Sequence, residues 1–161
     1  LFPYTTLFRS WHPPHHRSFA SAHAGRKPFE TAELAYGTQV LWPDHCVQDT
    51  HGAEFHKELH VPNAELIIRK GFREEIDSYS AFFENDRRTP TGLGGYLKER
   101  GFEKVVCVGL AFDYCVRFSA EDARRLGFET EVIEAACRSI DLDGSADAAR
   151  RSFQEHGIAL A

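Results

Sequence analysis

Hydrophobic and polar positions divide this chain into an irregular first half and a regular second half. Residues 65–69 (ELIIR) form a short apolar run that predicts a buried strand. Residues 91–100 (TGLGGYLKER) predict a helix stopped by Gly101, the residue type that most readily closes a helix. Residues 104–110 (KVVCVGL) are continuous and β-branched, the pattern of a parallel strand covered on both faces. Residues 113–126 follow as a helix, with Val116, Ala120, Ala123 and Leu126 on one stripe and Gly127 as the stop. Residues 129–133 (ETEVI) predict another strand, residues 146–156 a helix ended by Gly157, and residues 158–161 a last short strand. Strand and helix alternating in this order predict an α/β fold: three layers, α/β/α, around a mostly parallel sheet with right-handed crossovers.

The first half supplies too few strands for such a sheet. Residues 11–60 hold most of the histidines and several prolines among many polar residues, so they read as site-forming loops. Residues 1–10 (LFPYTTLFRS) have neither helical nor strand periodicity. They are expected to be a foreign segment, with the fold incomplete at its N-terminal side and its first central strand missing. The domain is therefore placed at residues 11–161.

Composition narrows the class. The chain has 161 residues, 42% hydrophobic and 27% charged, enough for one domain with a real core. Nineteen Lys and Arg against 24 Asp and Glu give a net charge of −5, which argues against nucleic acid or an anionic membrane as partner. No stretch approaches the ~20 apolar residues of a membrane span, and no secretory signal is visible, so a cytoplasmic location is expected. Four cysteines without paired CxxC spacing make neither a disulfide scaffold nor a structural zinc site.

The strongest chemical signal is the strand–turn–helix of residues 105–116. Cys115 falls at the start of a helix that follows a parallel strand. Free N–H groups and the helix dipole there stabilise a thiolate and can cradle an oxyanion; the alternative is a small buried helix residue. Cys107, mid-strand, reads as core, and Cys137 as structural. A second signal is two proline-bearing, aromatic loops holding imidazoles: 11–19 (WHPPHHRSF) and 42–46 (WPDHC). Together they could ligate a divalent metal. His15, His23, His51, His56, His60 and His156 read as ordinary surface histidines. A third is Lys70 at the end of the ELIIR strand, a fixed cation or simply a surface lysine.

In order, these motifs resemble the nicotinamidase/pyrazinamidase branch of the isochorismatase-like cysteine hydrolases. The resemblance runs from Trp11 to the C-terminus. It rests on Trp11-His12-Pro13 and His16-Arg17-Ser18-Phe19-Ala20, on Trp42-Pro43-Asp44-His45-Cys46, on Lys70-Gly71, and on Gly109, Ala111, Asp113, Cys115 and Val116. It implies a metal-dependent amidohydrolase that converts nicotinamide, and pyrazinamide, to the acid and ammonia in NAD salvage. Cys115 would be the nucleophile and form a thioester, and Lys70 would be the triad lysine. The N–H groups of Ala111 and Cys115 would form the oxyanion hole, beside a cis peptide preceding Ala111. His12 and His45 would hold the metal, with His16 a further ligand or a partner of the ligands. Trp42 and Tyr79 would wall the ring. Zinc is the first expectation for the ion, with iron or manganese as alternatives, and a homo-oligomer is compatible with the family.

Two departures stand out. The resemblance implies a general-base aspartate at the end of a first strand, and no residue before Trp11 offers a carboxylate. It also implies a metal-binding aspartate at position 10, where this sequence has serine. Loss of a general base typically costs 10²–10⁴-fold, so the chain as written is expected to be nearly inactive. The competing readings are another small-amide hydrolase of the same superfamily and a non-catalytic protein that binds the ligand without turnover.

Overall fold

A computed structural model describes residues 4–161. Two compact units make up the described chain. The first holds residues up to Ser78 together with Glu84–Asp86; the second holds Tyr79–Phe83 and Arg87–Ala161.

In the first unit, strand β1 (Thr5–Ser10) runs parallel to β4 (Ala64–Lys70). Between them in sequence lies an antiparallel hairpin of β2 (Thr31–Leu34) and β3 (Gly37–Val40). Both findings correct the sequence reading. Residues 5–10 form a strand because six half-buried residues, two of them β-branched threonines, lie in register against β4, Thr6 opposite Leu66 and Ser10 opposite Lys70. Backbone pairing is indifferent to the weak side-chain period that made the segment look structureless. Residues 1–3 lie outside the described residues. The hairpin shows the period-2 alternation of exposed and half-buried positions in β2, and Gly37 (φ +121) supplies the positive φ at its turn. Phe19 and Leu41, both fully buried, anchor the loops around it.

The second unit carries the regular half. A parallel sheet of β5 (Lys104–Leu110), β6 (Glu129–Arg138) and β7 (Ala159–Leu160) is connected through α2 (Arg117–Arg125) and α3 (Ser145–Glu155). Helix α1 (Leu93–Glu99) precedes the sheet, and Gly101 follows it at φ +73, as the sequence predicts. The core joins Cys107 and Val132 of the strands to Val116, Ala120, Ala149 and Phe153 of the helical layer. The stripe expected on α2 is therefore the buried one, with Val116, Ala120 and Ala123 wholly inaccessible.

Two details differ from expectation. Strand β6 continues to Arg138, five residues beyond the predicted end, and shifts register against β5 between Cys107 and Gly109. Strand β5 is not covered on both faces: Cys107 is buried, whereas Val108 is 45% and Leu110 68% exposed. The α2–α3 layer reaches only the face that carries Cys107. No helix among the described residues is long and apolar enough to cross a membrane.

Candidate functional site

In the second unit, the chain leaves β5 through a cis peptide between Leu110 and Ala111, where the resemblance implies one. It then enters a wide turn, Phe112–Val116, closed by the Val116 amide donating to the Ala111 carbonyl at 3.0 Å, before α2 begins. Such π-type turns widen the backbone and are frequent at functional sites. Cys115 lies in this turn and is half-buried. Phe112 and Val116 pin the turn into the core from either side of it.

Asp113 fastens the turn to the segment after β6. Its carboxylate, 1% exposed, accepts from the Ile140 and Asp141 amides at 3.1 and 2.7 Å and from Ser145 Oγ at 2.5 Å. Burial pushes its pKa upward, but the bonds from Ser145, Ile140 and Asp141 outweigh it and hold the group below the ordinary carboxylate range. The other cysteines of this unit are of a different kind. Burial, with Cys137 alongside, pushes the Cys107 thiol up to about 12, and burial also raises Cys137. Both belong to the core, as expected. Tyr79 is half-buried, its ring against Tyr114 at 5.6 Å and Phe118 at 5.3 Å.

The first unit collects the histidines and the lysine. The Trp11 amide donates to the Lys70 carbonyl at 2.9 Å, prolonging the β1–β4 ladder. The His12 amide then donates to the Cys46 carbonyl at 3.0 Å, so His12 is held between the end of β4 and the 42–46 loop. His12 Nδ1 donates to the Gly71 carbonyl at 3.0 Å, which leaves the lone pair at Nε2. Burial chiefly, then His16, His45 and Lys70, lowers the His12 pKa to about 2, so the imidazole is neutral. Gly71 (φ +66) allows this contact: a Cβ there would stand 2.4 Å from His12 Cε1. The turn after Pro13 brings in His16, wholly buried, with Nδ1 paired to Ser18 Oγ at 2.8 Å and Nε2 without a hydrogen-bond partner. Burial lowers its pKa, against an upward pull from Asp77.

His12, His16 and Asp77 each offer a ligand atom within 4.8 Å of the others, all three buried. Two buried imidazoles, one of them with an orphaned Nε2, and a buried carboxylate suit a divalent ion. His45, exposed, lays its ring against His12 at 4.8 Å between centroids and turns Nδ1 to the Pro43 carbonyl. It is not part of the three-residue group. Lys70 is 3% exposed, its Nζ donating to Ser10 Oγ at 3.0 Å and to the Ser78 carbonyl at 2.8 Å. Trp42, 6% exposed, bridges Ser18 and Ala20 through its backbone and meets Phe29 edge-on. Asp77 is the residue that sequence reasoning missed. It follows Glu74 and Glu75 in an acidic run, and only burial separates it from them.

A cysteine on the turn between a parallel strand and its helix, in an α/β chain, marks a class of enzymes that work through a thiol nucleophile. The chain belongs to the isochorismatase family, whose domain model matches residues 17–160. It is 52% identical over 157 residues to the nicotinamidase of Acinetobacter baylyi, spanning 98% of this chain and 73% of that protein. Its fold matches the solved nicotinamidase/pyrazinamidase of Acinetobacter baumanii with a TM-score of 0.97 at 56% identity, over 99% of this chain and 77% of that one. A pyrazinamidase of Pyrococcus horikoshii, solved in complex with zinc, matches with a TM-score of 0.73 at 31% identity, over 96% and 72% of the two chains.

Proposed function

We propose that the protein is a metal-dependent nicotinamidase, hydrolysing nicotinamide to nicotinate and ammonia, with pyrazinamide as a second substrate. The observation that carries the reading is Cys115 on the turn after β5, in a chain similar over nearly its whole length to a nicotinamidase. In this reading Cys115 Sγ, as thiolate, attacks the carboxamide carbon. The amides of Ala111 and Cys115 receive the oxyanion, where developing charge is worth most to stabilise. The C–N bond breaks as the aspartate that the resemblance implies at the end of a first strand, having taken the thiol proton, returns it to the leaving nitrogen. Ammonia departs, and water, deprotonated by the same carboxylate, hydrolyses the thioester and frees the thiol. Lys70 is the fixed cation of the catalytic set. His12 and His45 are the imidazoles that hold the metal, with His16 a further ligand or a partner of the ligands, and Trp42 and Tyr79 contact the pyridine ring. A bound zinc ion would supply a Lewis-acidic partner for the ring nitrogen, and the neutral state of His12 supports its assignment as a ligand. The enzyme acts in the cytoplasm, in NAD salvage.

We further propose that the chain as written turns over poorly, because position 10 is serine where the resemblance implies a metal-binding aspartate. Ammonia release from nicotinamide with Zn²⁺, Fe²⁺ or Mn²⁺ tests both points. It is measured for this chain and for a version extended by a strand bearing the base, with aspartate at position 10. Turnover confined to the extended protein and abolished by Cys115→Ala is expected. A folded, metal-loaded extended protein without turnover on either amide overturns the assignment and favours a different small amide.

A further inference from the structure

We propose that Glu84 is a positioning residue for Lys70: it holds the Ser78 side chain and so fixes the backbone carbonyl that receives the Lys70 ammonium. The inference rests on the reading above in giving Lys70 a place in the catalytic set.

The dependence begins at Lys70 itself. Its side chain ends β4 almost out of reach of water, at 3% exposure. A lysine head rides on a flexible four-carbon stem, so its acceptors decide where it stands, and a buried ammonium requires them. Nζ donates to the Ser78 carbonyl at 2.8 Å, eight residues further along the chain.

Ser78 lies outside any helix or strand, so no ladder fixes that carbonyl. Its position comes from bonds on either side. Its amide donates to Asp77 Oδ1 at 2.8 Å, and its hydroxyl donates to the Glu84 carboxylate. The Asn85 amide donates to the Asp77 carbonyl, also at 2.8 Å. Residues 77–78 and 84–85 are thus latched at two points, one through backbone alone and one through the side chains of Ser78 and Glu84.

Glu84 is 2% exposed, with Oε1 at 3.5 Å from Arg73 Nε. Its Oε2 is buried and has no hydrogen-bond partner, so the Ser78 bond falls on Oε1 as well. A buried oxygen without a donor opposes folding, which makes this carboxylate a poor packing element. What it contributes to the loop is the direction it imposes on Ser78.

Competitive acetylation with acetic anhydride, from neutral to alkaline pH, tests the assignment in this chain. Mass spectrometry of the Lys70 peptide reads the labelling rate in the parent and in Glu84→Ala, Ser78→Ala and Glu84→Gln, each below its own denaturation midpoint. Freeing the head should speed labelling about tenfold or more in Glu84→Ala and Ser78→Ala. Glu84→Gln keeps an acceptor for the Ser78 hydroxyl, so its Lys70 should label within about threefold of the parent. A role confined to stability would lower the midpoint and leave Lys70 as slow as in the parent. That result in Glu84→Ala or Ser78→Ala overturns the proposal, as does labelling in Glu84→Gln as fast as in Ser78→Ala. Parent Lys70 labelling as fast as the exposed Lys27 overturns it too. If Glu84→Ala does not fold, Ser78→Ala decides. In the extended, metal-loaded enzyme, Ser78→Ala should lower kcat about tenfold or more with KM nearly unchanged, and an undiminished kcat overturns the proposal. Labelling uses no substrate, so failure of the extended parent to hydrolyse nicotinamide would overturn the reading above and leave the Lys70 result to decide this one.

Discussion

Asp113 shows how much one side chain can organise. Three donors converge on its carboxylate, and they tie the Cys115 turn to the residues that open α3. Because its pKa lies below the ordinary carboxylate value in the folded chain, the stabilisation is complete above the unfolded value, about 3.9. It is lost as pH falls through the lower folded value. Asp113→Asn is expected to cost roughly 2 kcal/mol near neutrality and to flatten the acid limb of the stability curve. Chemical denaturation between neutral and acid pH measures both. At Cys115 the expectation concerns rate and not stability. Cys115→Ala in the extended enzyme should remove turnover by at least ~10³-fold while shifting the denaturation midpoint little, since the side chain is only half-buried. Activity surviving that substitution would remove the nucleophile from the account.

At the scale of elements, the regular half was readable because each element announces itself locally. Strand β5 has the predicted ends, and α3 differs by one residue at each end from the predicted helix. The apolar stripe on α2 and the glycines at 101, 127 and 157 needed no tertiary information. Strand β1 did not announce itself. Its state is made by pairing with β4, through a ladder the sequence of either strand does not encode in its side-chain period. The tail of β6 was missed for the related reason that residues 134–138 (EAACR) lack strand propensity and are drawn in by β5. The junction after β4 carries a sharper prediction. Gly71→Ala would place a methyl 2.4 Å from His12 Cε1 at a positive φ, so His12 must move. Zn²⁺ affinity should drop, by about tenfold or more, alongside a loss of roughly 1 kcal/mol or more in stability. In the second unit, Phe153→Ala should cost about 3–5 kcal/mol by opening a cavity beside Phe112, which denaturant titration would show.

For the whole molecule, ordered motifs spread over more than a hundred residues were enough to read the family, and comparison with known proteins bears that out. The cluster of candidate ligands was less legible. His12 and His16 belong to a recognisable loop, whereas Asp77 joins them from a distant acidic run only through folding. A metal held by residues from such separate segments would couple its binding to the fold of the unit. Free ion at ~100 times its Kd should therefore add about 2.7 kcal/mol to stability. Thermal denaturation with Zn²⁺ and with a chelator reads this directly, and no difference would separate the ion from the fold.

The central claim is that a thiol at Cys115 carries the acyl group of nicotinamide. Its most direct test is mass spectrometry of the extended, metal-loaded enzyme, quenched in acid during turnover and digested. The account predicts a nicotinoyl thioester on the peptide containing Cys115, absent from Cys115→Ala. Turnover with no acyl adduct at that residue, or with the adduct on another cysteine, would contradict it.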